Sequence, residues 1–161
     1  MEKDRYSVLH SLGERLSIRI TKILLVEDNP ADIELTKEAL KCKTCQPSLH
    51  VVTDGEKAIQ FLLNEGDYKD SPRPDIIFLD LNLPKMCGKE VLSIIKSNDE
   101  LKSIPVIVLT TSENEIDINQ TYQMHANCYI RKPVDFESFR EAIHSTKSFW
   151  FTVAKLPESE K

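Results

Sequence analysis

The stretch Ile76-Ile77-Phe78-Leu79-Asp80-Leu81-Asn82-Leu83-Pro84 decides the fold. Four bulky apolar residues run into a carboxylate, and Asn82, Pro84 and Gly88 signal a turn behind it. An unbroken apolar run of this length, entered through Pro72 and Pro74, predicts a strand buried on both faces. Asp80 then sits where that strand leaves the sheet. In open parallel α/β sheets that edge is where ligands bind, which makes Asp80 the first candidate for chemistry.

Working outward, the same grammar repeats. Lys22-Ile23-Leu24-Leu25-Val26 predicts a first buried strand ending on Glu27-Asp28. Asn29-Pro30 starts a helix through about Lys41, with Asp32 and Glu34 in a first turn where the helix dipole favours acids. Its apolar side is Ile33, Leu35, Ala39 and Leu40. His50-Val51-Val52 predicts a short second strand, and Asp54-Gly55 opens a helix carrying Ala58, Ile59, Leu62 and Leu63 at helical spacing. A polar, proline-punctuated loop from Gly66 to Pro74 leads into the third strand. Beyond it, Glu90, Val91, Leu92, Ile94 and Ile95 predict a third helix ending at Asn98-Asp99. Pro105 to Leu109 predicts a fourth strand closed by Thr110-Thr111-Ser112, and Glu113 to His125 a fourth helix with Ile116, Ile118 and Met124 among its apolar residues. Cys128-Tyr129-Ile130 predicts the fifth strand, closed by Arg131-Lys132-Pro133. Asp135 caps a last helix whose apolar positions include Phe136, Phe139, Ile143 and Phe149.

Strands alternating with helices across short loops predict an α/β fold: a five-stranded parallel sheet, doubly wound in the flavodoxin-like order 2-1-3-4-5, with five helices. Residues 1-20 read as an N-terminal extension, 21-150 as one domain and 151-161 as a C-terminal tail. In the extension, Val8, Leu9, Leu12 and Leu16 have helical spacing, so it is either a short amphipathic helix or a frayed tail. At the other end Trp150, Phe151, Val153 and Leu156 continue an apolar pattern. They either fold back onto their own domain or form a partner or dimer surface.

Composition narrows the function. A chain of 161 residues holds one domain with a full core. The net charge of -5 argues against a nucleic-acid surface, which is normally basic. No apolar run approaches the roughly 20 residues that span a bilayer, and Met1-Glu2-Lys3-Asp4-Arg5 leads into no apolar signal region. The expectation is a cytoplasmic protein without membrane or nucleic-acid partners. Cys42-Lys43-Thr44-Cys45 is formally a C-x-x-C pair, but it falls near a helix C-terminus, where nothing lowers a thiol pKa. No further ligands stand at zinc-site spacing, so Cys42, Cys45, Cys87 and Cys128 read as free thiols. His10, His50, His125 and His144 are dispersed and receive no role.

In the predicted strand order, strands 1, 3, 4 and 5 end side by side on Glu27 and Asp28, Asp80, Thr110 and Lys132. Three converging carboxylates repel one another, and a hard divalent cation offsets that best. Mg²⁺ takes carboxylate, carbonyl and water oxygens and commonly works beside a phosphoryl group; Mn²⁺ is the substitute. Asp28 and Asp80 are the expected direct ligands, the Asn82 backbone carbonyl a third, with Glu27 acting through water. One such carboxylate can also be a nucleophile, giving an aspartyl phosphate. Lys132 and the Thr110 hydroxyl would then neutralise the phosphoryl oxygens together with the cation.

The set Glu27-Asp28, Asp80, Thr110 and Lys132-Pro133 resembles the receiver domain of two-component response regulators, the CheY-like family, over roughly residues 20 to 150. The resemblance implies that Asp80 accepts phosphate from the phosphohistidine of a sensor histidine kinase. Thr110 would move toward the phosphate, and Tyr129, three residues before Lys132, would be the aromatic switch. It implies further that the Lys132-Pro133 bond is cis and that Asn82 and Ser112 tune hydrolysis of the aspartyl phosphate. Such a protein is no enzyme beyond Mg²⁺-dependent self-phosphorylation and self-dephosphorylation. Leu-Asn-Leu-Pro-Lys (81 to 85), Leu109-Thr110-Thr111-Ser112, Ala126-Asn127-Cys128-Tyr129 and Ser148-Phe149-Trp150-Phe151 are similar to the small single-domain regulators paired with bacterial, particularly cyanobacterial, phytochromes. That similarity implies a phytochrome-type kinase partner, a homodimer, a downstream protein or phosphotransfer partner, and no DNA-binding output domain. Two departures stand out: Cys87 replaces a common Asp before Gly88, and Glu27 replaces a frequent Asp.

Two other readings compete. A haloacid dehalogenase-type phosphatase also uses a strand-end Asp, but it usually carries a second Asp two residues on, where this chain has Asn82, and its nucleophile lies on the first strand. A pseudo-receiver that only binds partners would lack a required residue, and none is missing.

Overall fold

The computed structural model describes residues 19–43 and 46–158. The apolar positions Val8, Leu9, Leu12 and Leu16, and with them Cys45, lie outside the described residues. Five strands form a parallel sheet: β1 (Lys22–Val26), β2 (Ser48–Val52), β3 (Ile76–Leu79), β4 (Val106–Thr110) and β5 (Cys128–Arg131), in the order β2-β1-β3-β4-β5. Helices α1 (Pro30–Leu40), α2 (Gly55–Leu63), α3 (Gly88–Ser97), α4 (Glu115–Gln123) and α5 (Phe136–Ser148) make the crossovers. The doubly wound arrangement is the one expected.

Register explains the two cores. Ile23 pairs with Ile76 and Leu24 with Ile77, and Ile77 in turn with Val106, so odd and even positions line up across the central strands. One face gathers Leu24, Val26, Ile77, Leu79, Val106 and Val108 against Ala58, Phe61 and Leu62 of α2 and Val91, Leu92 and Ile95 of α3. The other gathers Ile23, Leu25, Ile76, Phe78, Ile107 and Leu109 against Ala39 and Leu40 of α1 and Phe139 and Ile143 of α5. Every residue of β3 is buried. Each fully buried side chain of this size stabilises the fold by about 1.5–3 kcal/mol, which anchors the strand that carries Asp80.

The helices begin where side chains replace missing backbone partners. Asn29 caps α1 by accepting from Ala31 N at 2.9 Å and Asp32 N at 3.3 Å. Asp54, Asn114 and Asp135 cap α2, α4 and α5, accepting from Lys57 N, Ile116 N and Ser138 N at 2.8, 2.9 and 2.9 Å. At the start of α3, Glu90 Oε2 accepts from the Cys87 N–H at 2.9 Å.

Several expectations need correction. The Lys132-Pro133 bond is trans, as is every peptide bond of the described residues; even before proline, trans is favoured by about 0.5–1 kcal/mol. Ile116, Phe136 and Phe149 lie largely in solvent, although each falls at an apolar helix position. α4 buries only Thr121, because β5 at the sheet edge offers it little to cover. Past α5, a π-helical turn (Phe149–Val153) folds Trp150 and Phe151 back onto the core shared by α1 and α5, while Val153 stays exposed.

Candidate functional site

Glu27, Asp80 and Lys132 each leave the sheet on a backbone hydrogen bond that extends the ladder past a strand. Glu27 N donates to Val52 O at 3.0 Å, Asp80 N to Val26 O at 3.0 Å and Lys132 N to Thr110 O at 2.7 Å. The carboxyl ends of β1, β3, β4 and β5 are thereby held in one row, and Glu27, Asp80, Thr110 and Lys132 are all buried there. Asp28 alone of the acidic trio is exposed. Behind Asp80 the chain turns back so closely that Gly88 rests on it: a Cβ on Gly88 would lie 2.2 Å from the Asp80 carbonyl oxygen.

Lys132 is the centre of the charge arrangement. Its ammonium donates to Glu27 Oε2, to Asp32 Oδ2 at 2.9 Å and to Asp80 Oδ2 at 3.1 Å. The other Asp80 oxygen, Oδ1, accepts from the Asn82 N–H at 3.1 Å, and Glu27 Oε1 accepts from Asn29 N at 3.0 Å. Burial by itself would lower the Lys132 pKa, but its hydrogen bond to Glu27, the charge of Asp80 and its hydrogen bond to Asp32 outweigh it and raise it above the ordinary lysine range. Glu27 is pushed up to about 7: burial disfavours its charge more than the Lys132 hydrogen bond and the Asn29 amide restore it. The two shifts have different leading causes: burial raises Glu27, while the surrounding carboxylates raise Lys132 against its own burial.

A hard cation fits this gathering of carboxylates. One carboxylate oxygen from each of Glu27, Asp28 and Asp80 lies within 4.8 Å of the others. Oxygens around a single hard cation stand up to about 4–5 Å apart, twice the ~2.0–2.6 Å ligand distance. The all-oxygen donor set suits a divalent cation of the Mg²⁺, Mn²⁺ or Ca²⁺ kind.

Thr110 is fully buried, with its Oγ1 3.5 Å from both Asn82 Nδ2 and Ser112 N. Tyr129 donates its hydroxyl to the Ser112 carbonyl at 3.0 Å, and its own N–H donates to Tyr122 Oη at 3.1 Å. Sequence reasoning brought Glu27, Asp28, Asp80, Thr110 and Lys132 to one edge; Asn82, Ser112 and Tyr129 entered through the family resemblance, and Tyr122 was not among them. It missed Asp32 as a partner of Lys132, having placed it only as a first-turn acid. Its place in the first turn of the helix after Glu27-Asp28 carried no signal of this, since the helix dipole alone explains an acid there. A groove of about 470 Å³ between α1 and α5, lined by Glu38, Arg140 and His144 among others, holds none of these residues.

A 2-1-3-4-5 sheet with acids, a hydroxyl and a lysine gathered on its carboxyl edge defines a receiver-type α/β domain. The chain belongs to the response regulator receiver domain family, whose model matches residues 23–144. It is 47% identical over 135 residues to the response regulator Rcp1 of Synechocystis sp., covering 84% of this chain and 92% of that one. Among solved structures, it resembles the phosphorylated cyanobacterial phytochrome response regulator RcpA with TM-score 0.85 and 47% identity, covering 87% of this chain and all of RcpA (100%). It resembles the Mn²⁺-bound form of Rcp1 with TM-score 0.83 and 46% identity, covering 86% of this chain and 99% of that one. The chain is thus a response regulator of two-component signalling, a class that transduces signals from histidine kinases rather than turning over substrates. Among the described residues, no helix is long and apolar enough to cross a membrane.

Proposed function

We propose that Asp80 is the phosphoacceptor and that its partner is a phytochrome-type sensor histidine kinase. The observation that carries this is the Asp80 carboxylate itself. It is buried at the strand edge, with Lys132 Nζ at 3.1 Å on one side and the Glu27–Asp28 acids on the other. Likeness to RcpA, a phytochrome response regulator solved in phosphorylated form, supports both halves of the reading.

The reaction is a transfer between two side chains. An Asp80 carboxylate oxygen forms the new P–O bond while the P–N bond to the kinase's phosphohistidine breaks, and the imidazole leaves with that electron pair. Lys132 meets the growing charge on the phosphoryl oxygens with an ammonium already aimed at Asp80, so little reorganisation is needed. Thr110 offers the hydroxyl that moves toward the phosphoryl group, and Tyr129 follows it as the switch. Asn82 and Ser112, beside that position, set how readily water reaches the acyl phosphate. Asp28, Asp80 and the Asn82 carbonyl would hold Mg²⁺, or Mn²⁺ in its place, with Glu27 acting through water. The cation, when bound, neutralises phosphoryl oxygens and offsets the clustered acids. Self-phosphorylation and self-dephosphorylation are the whole of its chemistry.

Residues 21-150 are read as the receiver unit, working in the cytoplasm. Exposed Phe149 and Val153 beside the folded-back Trp150 make residues 149–153 the contact by which we read the protein as a homodimer. Incubation with a phytochrome-type histidine kinase carrying radiolabelled phosphohistidine tests the reading. Label is expected to pass to the wild type within minutes and not to Asp80→Asn. Label on the Asp80→Asn variant would contradict it.

A further inference from the structure

The loop between β4 and α4 is tied down through Asp117 and Lys89, two residues that none of the roles above uses. Asp117, in the first turn of α4, accepts from Ser112 Oγ at 2.5 Å on one oxygen and from Lys89 Nζ on the other. Lys89 follows Gly88 at the start of α3, and its ammonium also donates to Gln120 Oε1 at 2.7 Å, further along α4. The hydrogen bonds from Lys89 and Ser112 hold the Asp117 carboxyl below the usual carboxylate range. The Lys89 and Asp117 side chains are 29% and 25% exposed, so solvent screens this pair less than the ordinary surface pairs of the molecule.

We propose that Asp117 is a positioning residue that latches the β4–α4 loop in its resting conformation, with Lys89 anchoring the latch to the helix that follows Asp80. The inference rests on reading Asp80 as phosphoacceptor and Thr110 as the residue that moves toward it. Ser112 lies two residues beyond Thr110 and is held at three points. Its side chain bonds Asp117, its carbonyl accepts from Tyr129 Oη at 3.0 Å, and its amide faces Thr110 Oγ1 at 3.5 Å. Motion of Thr110 toward Asp80 pulls on all three. The first is charge-assisted and is the strongest of them. It favours the resting loop, so it lowers the population of the conformation that receives the phosphoryl group. Because Lys89 and Gly88 are consecutive, the strain of opening is borne by the same helix whose start packs on Asp80.

The test compares the wild type with Asp117→Asn, Lys89→Met, Lys89→Arg and the Asp117→Asn/Lys89→Met double variant. Phosphoryl uptake from acetyl phosphate with Mg²⁺ is followed by intact mass. Amide exchange across residues 111–114 is measured separately, before any donor is added. Asp117→Asn and Lys89→Met are each expected to speed uptake by about three- to tenfold, the range for losing one hydrogen bond that solvent partly screens. The double variant should add little to either single change, since the two residues act as one unit. Exchange across 111–114 should quicken in all three, while Lys89→Arg should behave as wild type. A role confined to fold stability would slow uptake or leave it alone, and it would not accelerate it. Unchanged or slower uptake overturns the latch, as does unchanged exchange. A wild type that takes up no phosphoryl group overturns the reading of Asp80, and with it the latch's effect on transfer.

Discussion

Lys132 is the side chain on which the charge balance of the site turns. Its ammonium meets Glu27, Asp32 and Asp80, and both it and Glu27 are almost sealed from water. Removing one member of a buried ion pair costs about 3–5 kcal/mol, because the partner is left charged and dry or must take up a proton. Lys132→Met should therefore lower stability by up to ~3–5 kcal/mol, and Mg²⁺ should restore part of the loss by supplying the missing counter-charge. Chemical denaturation with and without Mg²⁺ checks this, and a loss untouched by Mg²⁺ would contradict it. Residues of this kind differ in how visible they are. Asp80, Thr110 and Lys132 were legible because each closes an apolar run, and a strand's end can be read from its own composition. Asp32, Lys89 and Asp117 were not, because their meaning lies in a partner on another element. Nothing local separates a first-turn acid that faces Lys132 from one that faces water.

Among the elements, the turn from β3 into α3 is the most tightly built. Gly88 N donates to Leu81 O at 2.9 Å, and its missing side chain lets α3 start against the Asp80 carbonyl. Gly88→Ala would place a methyl 2.2 Å from that oxygen. Backbone on both sides must give way, so a destabilisation of about 1–3 kcal/mol is expected, with displacement of Asp80 beyond the fold cost. Thermal unfolding checks the first. Phosphoryl uptake by the folded fraction, compared with wild type, checks the second; full uptake would show that Asp80 had not moved. The five strands and five helices were legible from periodicity, yet burial was not. Ile116, Phe136 and Phe149 read as helical apolar positions and still face solvent, because α4 covers the sheet edge, α5 starts beyond the core, and Phe149 opens the turn past its end. The trans bond at Pro133 makes the same point, since isomer choice is a matter of tertiary surroundings and leaves no local pattern.

At the scale of the whole molecule, the parallel register turns one sheet into two cores and gathers every functional strand end on one edge. This followed from the sequence because the buried central strands read as continuous apolar runs, and right-handed crossovers leave few orders for a five-stranded sheet. The fold-back of Trp150 and Phe151 was left open between two alternatives, since an apolar tail carries no mark of what will cover it. On the function proposed above, this architecture serves to hold Asp80 as a phosphoacceptor. Acetyl phosphate and Mg²⁺ test it most directly, with intact mass and peptide mapping as the readout. A single phosphoryl adduct is expected, mapped to Asp80 and absent from Asp80→Asn. A wild type that stays unmodified under conditions that label other receiver domains, or an adduct that survives in Asp80→Asn, would contradict it.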